Sequence, residues 1–567
     1  MNPWVLAAGI SAFSFGAAVN LYVGLRDLTG DFEYFVDAAW RLMLGQQPYI
    51  DFFLSFGLTL TALQALLFKA FGVEMYTLVV HAAVLNGFAA VMLFLLLRAL
   101  RLHWGWAFVY ALGTALVFYP PYGIAMPVQH SAFFALSILL VQVVALTRRT
   151  GDDLPIAALY FLAGVAAVAG YLSKPVPLGL FLPVSIFLWL ALPRRKIVIA
   201  VAGALAGIVS SLFIIGLWIG FDGIVWSNLV QLTVETPLLI GSARHSNIPW
   251  NLRLYAWPSF YGMASVPLTY ALLAGSVVVL YRTVIRRGAS SLDYLSIAAL
   301  AIAANTLIAN IEFFRVNGDW FWRGLPLLFL PLACFHAALA GRFENAGPAA
   351  PQLRTVFGIC LAGMAVLDSL YFTYNALIMR GYPGQLRIVS PVADAASGIP
   401  GLKHIRFYSW HAEAPATAGG SSVSITEQDV RERLKGWQEI VTLLQRSGGA
   451  VEIIGLPAGV PLSFYALAGV PPLLPVTTNS LPGYTAPPSN SVPYADLRNR
   501  IVKILSEQTL EAIVVGNIEL ALRPDLAEPI GSAMCGAERR VQFTVFKPCG
   551  RLNLATIEAL LALRGMT

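Results

Sequence analysis

Apolar stretches about as long as a membrane is thick recur from Trp4 to Asn375, and nothing else in the chain restricts its fold as much. A hydrocarbon core of about 30 Å takes roughly 20 helical residues to cross. The first stretch runs from Trp4 to Leu25 with no Lys or Arg before Arg26. That is too long, and lacks the basic start, for a cleaved signal, so it reads as a retained span. Further spans are expected near 75–97, 104–121, 128–147, 154–172, 176–193, 197–218, 259–281, 292–312, 323–341 and 354–376. With the first, that makes about eleven transmembrane helices. Composition agrees: 57% of residues are hydrophobic and 12% charged, where a soluble domain carries about 25% charged. The mean hydropathy is +0.70. The net charge of +7 sits in small basic groups between apolar runs, which indicates topology rather than a nucleic-acid partner.

Those basic groups fall on alternate connections. Arg98 with Arg101, Arg148 with Arg149, Arg194 to Lys196, Arg282 to Arg287, and Arg342 with Arg354 mark one side as cytoplasmic. The opposite connections hold most of the acids and are richer in Trp, Tyr and Pro. An odd span count puts the N-terminus in the cytoplasm and the C-terminus outside. Residues 377–567 then form an extracytoplasmic (periplasmic) domain, and residues 1–376 the membrane domain. The Ala- and Pro-rich composition leans toward a bacterial inner membrane.

Within residues 26–73 the pattern is not that of a span. Asp31, Glu33, Asp37, Arg41, Pro48, Asp51 and Lys69 interrupt it. Two amphipathic helices at the interface are expected across about 31–72, the first from about Phe32 to Leu44 and the second from about Leu58 to Phe71. Gly45 ends the first, Pro48 prevents its continuation, and Gly72 ends the second.

The C-terminal part has ordinary polar content. A helix is expected at 426–446, a strand at 451–454, a helix at 494–507 and a strand at 512–515, an alternation that suggests a soluble α/β domain. Cys535 and Cys549 bracket a strand-like run at 541–546. They are either a disulfide, if this part lies outside the cytoplasm, or two unlinked thiols.

The acids Asp31 and Glu33 open the first interfacial helix. A carboxylate among apolar neighbours makes a useful base, and a pair can hold a divalent cation through oxygen ligands. Helix capping explains the same two residues. Gly170-Tyr171-Leu172-Ser173-Lys174-Pro175 places a cation at the outer end of a middle span, and Arg323 leads a late one. Both would also fit as side chains snorkelling to the interface. Loop 219–258 adds Arg244 and His245 among tryptophans, a mixture that suits sugars and phosphates or serves as an interface belt.

The order Asp31-Phe32-Glu33, then Asp37-Ala38-Ala39-Trp40, then Gly45-Gln46-Gln47-Pro48-Tyr49-Ile50-Asp51-Phe52, then Phe71-Gly72, resembles the first external loop of GT-C glycosyltransferases. The likeness is to the protein mannosyltransferase and lipid A aminoarabinose transferase group, glycosyltransferase family 39 in the broad sense. It covers about residues 1–340 and includes the Lys174 and Arg323 segments. It implies transfer of a sugar from a polyprenyl-phosphate donor to a lipid, glycan or protein acceptor outside the cytoplasm. Asp31 would be the general base, and Glu33 a second acid that assists or holds a cation. Lys174 and Arg323 would stabilise the donor phosphate, and Tyr49 and Asp51, in the matching turn, are candidates for substrate contact. The family often carries a further acid after its third span. Here Pro127-Val128-Gln129-His130 stands instead, which leaves a metal requirement open. His130 could contact substrate or be a satisfied histidine at a helix end. A transporter or flippase of lipid-linked glycans is the alternative function, though no half-repeat is visible.

Overall fold

The computed structural model describes residues 3–20, 30–54, 57–118, 125–147, 153–174, 192–230, 410–412, 423–425, 427–454, 463–475, 492–540 and 543–564, with isolated positions between 185 and 359. It is mostly helical. The expected spans at 259–281 and 292–312, and all but a few residues of 176–193, 323–341 and 354–376, lie outside the described residues. The chain divides into two compact units. Unit 1 comprises residues 1–22, 79–214 and 238–381, and unit 2 comprises 23–78, 215–237 and 382–567.

Unit 1 is built from α1 (Pro3–Asn20), most of α4 (Met75–Ala99), α5 (Trp104–Val117), α6 (Pro127–Thr147), α7 (Asp153–Ser173) and most of α8 (Arg194–Ile219). Among the described helices, four are long and apolar enough to cross a membrane: Tyr76–Ala99, Gln129–Leu146, Asp153–Ser173 and Arg194–Ile219. This is an integral membrane protein. In lipid the solvent gives apolar helices no reason to associate, so close packing and buried polar groups must do so. Both are present. The Asn86 amide donates to Ser14 O and Ala115 O, each at 2.9 Å, and ties α4 to α1 and α5. Between α7 and α8 the backbones approach so closely that a Cβ on Gly164, Gly203 or Gly207 would run into Ala204, Ala157 or Phe161 carbonyl oxygen respectively. Gly203 and Gly207 stand four apart on α8, the spacing that lines small residues along one helix face.

Unit 2 joins two parts of the chain that the sequence keeps far apart. Its first part holds α2 (Gly30–Met43) and α3 (Leu58–Phe71). Gly45, at φ 85°, follows the end of α2, and Gly72, at φ 90°, closes α3 with its N–H on Phe68 O at 2.9 Å. The expected ends are therefore the observed ones. At the start of α3, Gly57 has φ 82° and lies under the Phe35 ring of α2, where a Cβ would collide. Only glycine satisfies both the left-handed conformation and the close approach.

The burial of α2 differs from the one-sided pattern expected. Every residue from Tyr34 to Arg41 is buried, the charged Asp37 and Arg41 included. Helix α3 keeps an open side, with Leu66 63% and Phe71 67% exposed, as an apolar face turned toward lipid would be. Helix α9 (Phe221–Val230) belongs to the same unit, and its Gly223 packs against the Tyr49 ring.

The remainder of unit 2 contains a mixed four-stranded sheet in the order β3-β4-β6-β5. A small antiparallel pair, β1 (Trp410–Ala412) and β2 (Val423–Ile425), precedes it. Then come α10 (Glu427–Ser447), β3 (Val451–Ile454), α11 (Phe464–Ala468), α12 (Val492–Glu507) and β4 (Ala512–Gly516). They are followed by α13 (Asn517–Leu522), α14 (Pro524–Ser532), β5 (Met534–Arg539), β6 (Phe543–Pro548) and α15 (Leu554–Leu563). Strands β3 and β4 are parallel, so a helical crossover separates them, and every residue of both is buried. Strand β6 returns antiparallel to β4 and pairs with β5. Cys535 on β5 and Cys549 just after β6 form a disulfide, with Cα atoms 4.8 Å apart. Strand β5, Met534-Cys535-Gly536-Ala537-Glu538-Arg539, has no apolar alternation, and this hid it from a reading by pattern.

Leu497, Ile501, Leu505, Ile513, Val515, Ile530, Phe546, Ile557 and Leu560 form the core under this sheet. Phe53, from the turn between α2 and α3, is part of the same core. At about 25 cal/mol per Å2 of apolar surface, a fully buried phenylalanine contributes roughly 2–3 kcal/mol. The turn between α2 and α3 and the C-terminal region thus share a hydrophobic centre.

Candidate functional site

Helix α2 begins at Gly30, so Asp31 and Glu33 stand in its first turn. The unpaired N–H groups there favour negative charge. The side chains of Asp31 and Glu33 lie outside what the structure describes. The rest of the helix is fixed in detail. Arg41 Nε donates to Asp37 Oδ2 at 2.8 Å, and Arg41 Nη1 donates to Leu474 O at 2.8 Å. Ser463 Oγ donates to Asp37 Oδ1 at 2.7 Å. Trp40 Nε1 donates to Val470 O at 3.0 Å. Residues 463–475, more than 420 positions away in sequence, therefore grip α2 along its length.

A second buried ion pair adjoins the first. Arg564, at the end of α15, pairs with Glu452 of β3 and donates to Ile453 O at 2.8 Å. Burial, and then the neighbouring Arg41 charge, push the Arg564 guanidinium down to about 10, while Asp37 opposes the shift. Arg564 thus remains charged at neutral pH. The Tyr465 phenol is pushed well up, by burial first and by the Asp37 carboxylate second. It stays protonated and donates to Val451 O at 2.9 Å. Two cations and two anions balance inside unit 2, the condition under which buried charge is tolerated.

The turn after α2 is held as closely. Tyr49 has φ 67°, a left-handed conformation that a side chain of its size rarely adopts. Its N–H donates to Phe52 O at 2.7 Å. The Asp51 carboxylate accepts the Gln47 N–H at 2.7 Å and so braces its own turn. From α12, Arg500 donates to Ile50 O at 2.8 Å and Asp51 O at 3.1 Å, and Phe53 N–H donates to Pro475 O at 3.2 Å. Strained backbone persists where surrounding structure over-determines it, often at functional sites.

The other described candidates are in unit 1. His130 is buried in the first turn of α6, its Nδ1 3.2 Å from Met126 O and its Nε2 3.0 Å from His81 Nε2. One ring must donate and the other accept, so the pair shares its protons. Both ring nitrogens of His130 are therefore engaged. Beside it, both amide atoms of Gln129 are buried with no hydrogen-bond partner among the described residues. Lys174 follows α7; its carbonyl accepts from Ser131 Oγ at 2.6 Å and its side chain is only 5% exposed. It is enclosed by protein rather than held out from it. The structure thus brings His81 against His130, and the Lys174 carbonyl against Ser131 of the same helix start. Arg244, His245 and Arg323 lie outside the described residues. Among the described residues no cluster of three His, Cys, Asp or Glu could hold a metal ion.

Asp37, Arg41, Ser463, Tyr465, Glu452 and Arg564 are residues to which sequence reasoning gave no role. One signal was present: Asp37 and Arg41 are four apart in a stretch, Tyr34 to Met43, whose other residues are aromatic or apolar. Such a pair reads as an ordinary surface ion pair unless its partners are known.

No model of a known protein family matches this chain, and no curated protein matches it in sequence. Several solved structures align along most of this chain. One is the oligosaccharyltransferase of Archaeoglobus fulgidus tethered to an acceptor peptide, at 14% identity and a TM-score of 0.42, covering 92% of this chain and 70% of that one. Another is ArnT from Cupriavidus metallidurans in the apo state, at 12% identity and a TM-score of 0.46, covering 98% of both chains. The same ArnT bound to undecaprenyl phosphate aligns at 10% identity with a TM-score of 0.40, covering 97% of this chain and 98% of that one.

Proposed function

We propose that this protein is a membrane glycosyltransferase that moves a sugar from a polyprenyl-phosphate donor to an acceptor outside the cytoplasm. One observation carries the reading: the helix whose first turn holds Asp31 and Glu33 is buried at every position from Tyr34 to Arg41 and anchored through Asp37, Trp40 and Arg41. A residue that must meet a reacting hydroxyl within a fraction of an ångström needs such a rigid mount. The order of the Asp31, Gly45-to-Tyr49 and Phe71-Gly72 segments is the other support.

In this reading Asp31 takes the proton from the acceptor hydroxyl as that oxygen attacks the anomeric carbon. Glu33 assists it. The phosphate leaves with growing negative charge while the sugar becomes oxocarbenium-like. Lys174 and Arg323 offset that charge, Arg323 through a planar donor fork suited to phosphate. The anomeric centre inverts because the attack is direct. The lipid tail keeps the donor in the bilayer, which requires a site at the interface. The topology that goes with this has about eleven spans, a cytoplasmic N-terminus, and both α2 and the C-terminal domain on the periplasmic side of the inner membrane.

The test is Asp31→Asn in membranes supplied with a radiolabelled polyprenyl-phosphate sugar. Loss of a positioned base lowers the rate by about a hundredfold or more. Full transfer by the variant would remove Asp31 as base.

A further inference from the structure

Helix α10 and the strands β5 and β6 enclose a cleft of about 490 Å3, within the range of small-ligand sites. Lys435, Glu439, Thr442 and Arg446 line one side. Their spacing along α10 puts them on a single helix face, with Lys435 and Arg446 about 16 Å apart along the axis. Phe543, Val545 and Lys547 alternate on β6 and so present one sheet face to the cleft. Ile440, Leu443, Phe543 and Val545 supply an apolar floor.

The charges around this floor do not cancel. Glu538 accepts from Lys547 Nζ at 2.9 Å and from Arg540 Nη2 at 3.0 Å, and Arg540 Nε stands 3.3 Å from Glu439. Two carboxylates thus hold Arg540 and Lys547 in place. Lys435 and Arg446, at the two ends, make no ion pair among the described residues. The lining has an excess of two positive charges over an apolar strip, with Gln438 and Thr442 at its side. An apolar strip suits the C–H face of a sugar ring, and spaced cations suit anionic groups along a chain of such rings.

We infer that this cleft binds an anionic saccharide, carboxylated or phosphorylated. The inference deepens the transferase reading by giving the acceptor a chemical class, and it locates a site separate from Asp31.

The experiment is calorimetric titration of the full chain in detergent with three probes: tetragalacturonate, neutral maltotetraose and glucose 1-phosphate. Tetragalacturonate or glucose 1-phosphate is expected to bind, whichever carries the anion the cleft prefers, at least about tenfold more tightly than the neutral sugar. The affinity should fall with added salt. Lys435→Gln with Arg446→Gln should cost about tenfold or more. Val545→Trp fills the cleft without changing its charge and should also abolish binding, which covers the case in which the double variant fails to fold. Asp31→Asn should bind normally, so loss of catalysis and loss of this site are told apart. Equal binding of charged and neutral probes, no binding of either anion, or binding unchanged by both the double variant and Val545→Trp would overturn the inference.

Discussion

Helices α7 and α8 in unit 1 and helix α2 in unit 2 are both closely packed, by opposite means. The α7–α8 contact is made of backbone against backbone, through Gly164, Gly203 and Gly207. At these glycines no charge takes part; the one ion pair between the two helices among the described residues, Arg195 with Asp153, stands at their exposed starts. Helix α2 is held by a buried ion pair, by hydrogen bonds to three carbonyl and hydroxyl partners in 463–475, and by a second ion pair alongside. A contact made by shape tolerates polarity changes on its outer faces and fails when volume is added. A contact made by buried charge tolerates little loss of either partner, because the remaining charge is left unpaired. The first serves a membrane scaffold. The second specifies one orientation, which is what the role proposed for Asp31 requires.

The largest effect that would separate these two regions comes from Arg41→Met. It strands the Asp37 carboxylate in the interior and should cost about 3–5 kcal/mol. Denaturant unfolding of the purified protein in detergent measures it. Adding Asp37→Leu to the same chain should recover most of that loss, since an apolar pair of similar volume can replace a buried ion pair. If Arg41→Met is harmless, charge does not hold α2.

Gly207→Val tests the other region. The added side chain must push α8 away from the Phe161 carbonyl, at an expected cost of about 1–3 kcal/mol. The thermal midpoint should drop, and to the same extent at low and high salt. A strong salt dependence would show that polar groups share in this contact. The smallest effect is expected for Trp40→Phe, which removes the bond to Val470 O and should cost about 1 kcal/mol. Limited proteolysis near residues 463–475 is the sensitive measurement, since one lost bond would raise cleavage there without unfolding α7 and α8. Equal loosening of both regions would mean that they unfold together.

Much of the local structure was legible without coordinates. The first turn and end of α2, the end of α3 at Gly72, four of the spans, the helix 427–447 and strands at 451–454 and 512–516 follow from apolar periodicity and from glycine and proline stops. Strand β5 was not legible, because its residues alternate in neither polarity nor size. The glycine spacing in α8 is present in the sequence, but the partner it approaches is not.

The chain's sequence determined that this is a membrane protein with an acidic helix after its first apolar segment. Hydrophobic length and periodicity are properties of neighbouring residues, so they can be read locally. Only the tertiary structure decided that the same helix is buried from Tyr34 to Arg41 and bound to residues 463–475. A pair such as Asp37 and Arg41 looks the same on a solvated helix face as in a core. What makes it a latch is the set of partners more than 420 residues away, and the desolvation that their packing imposes.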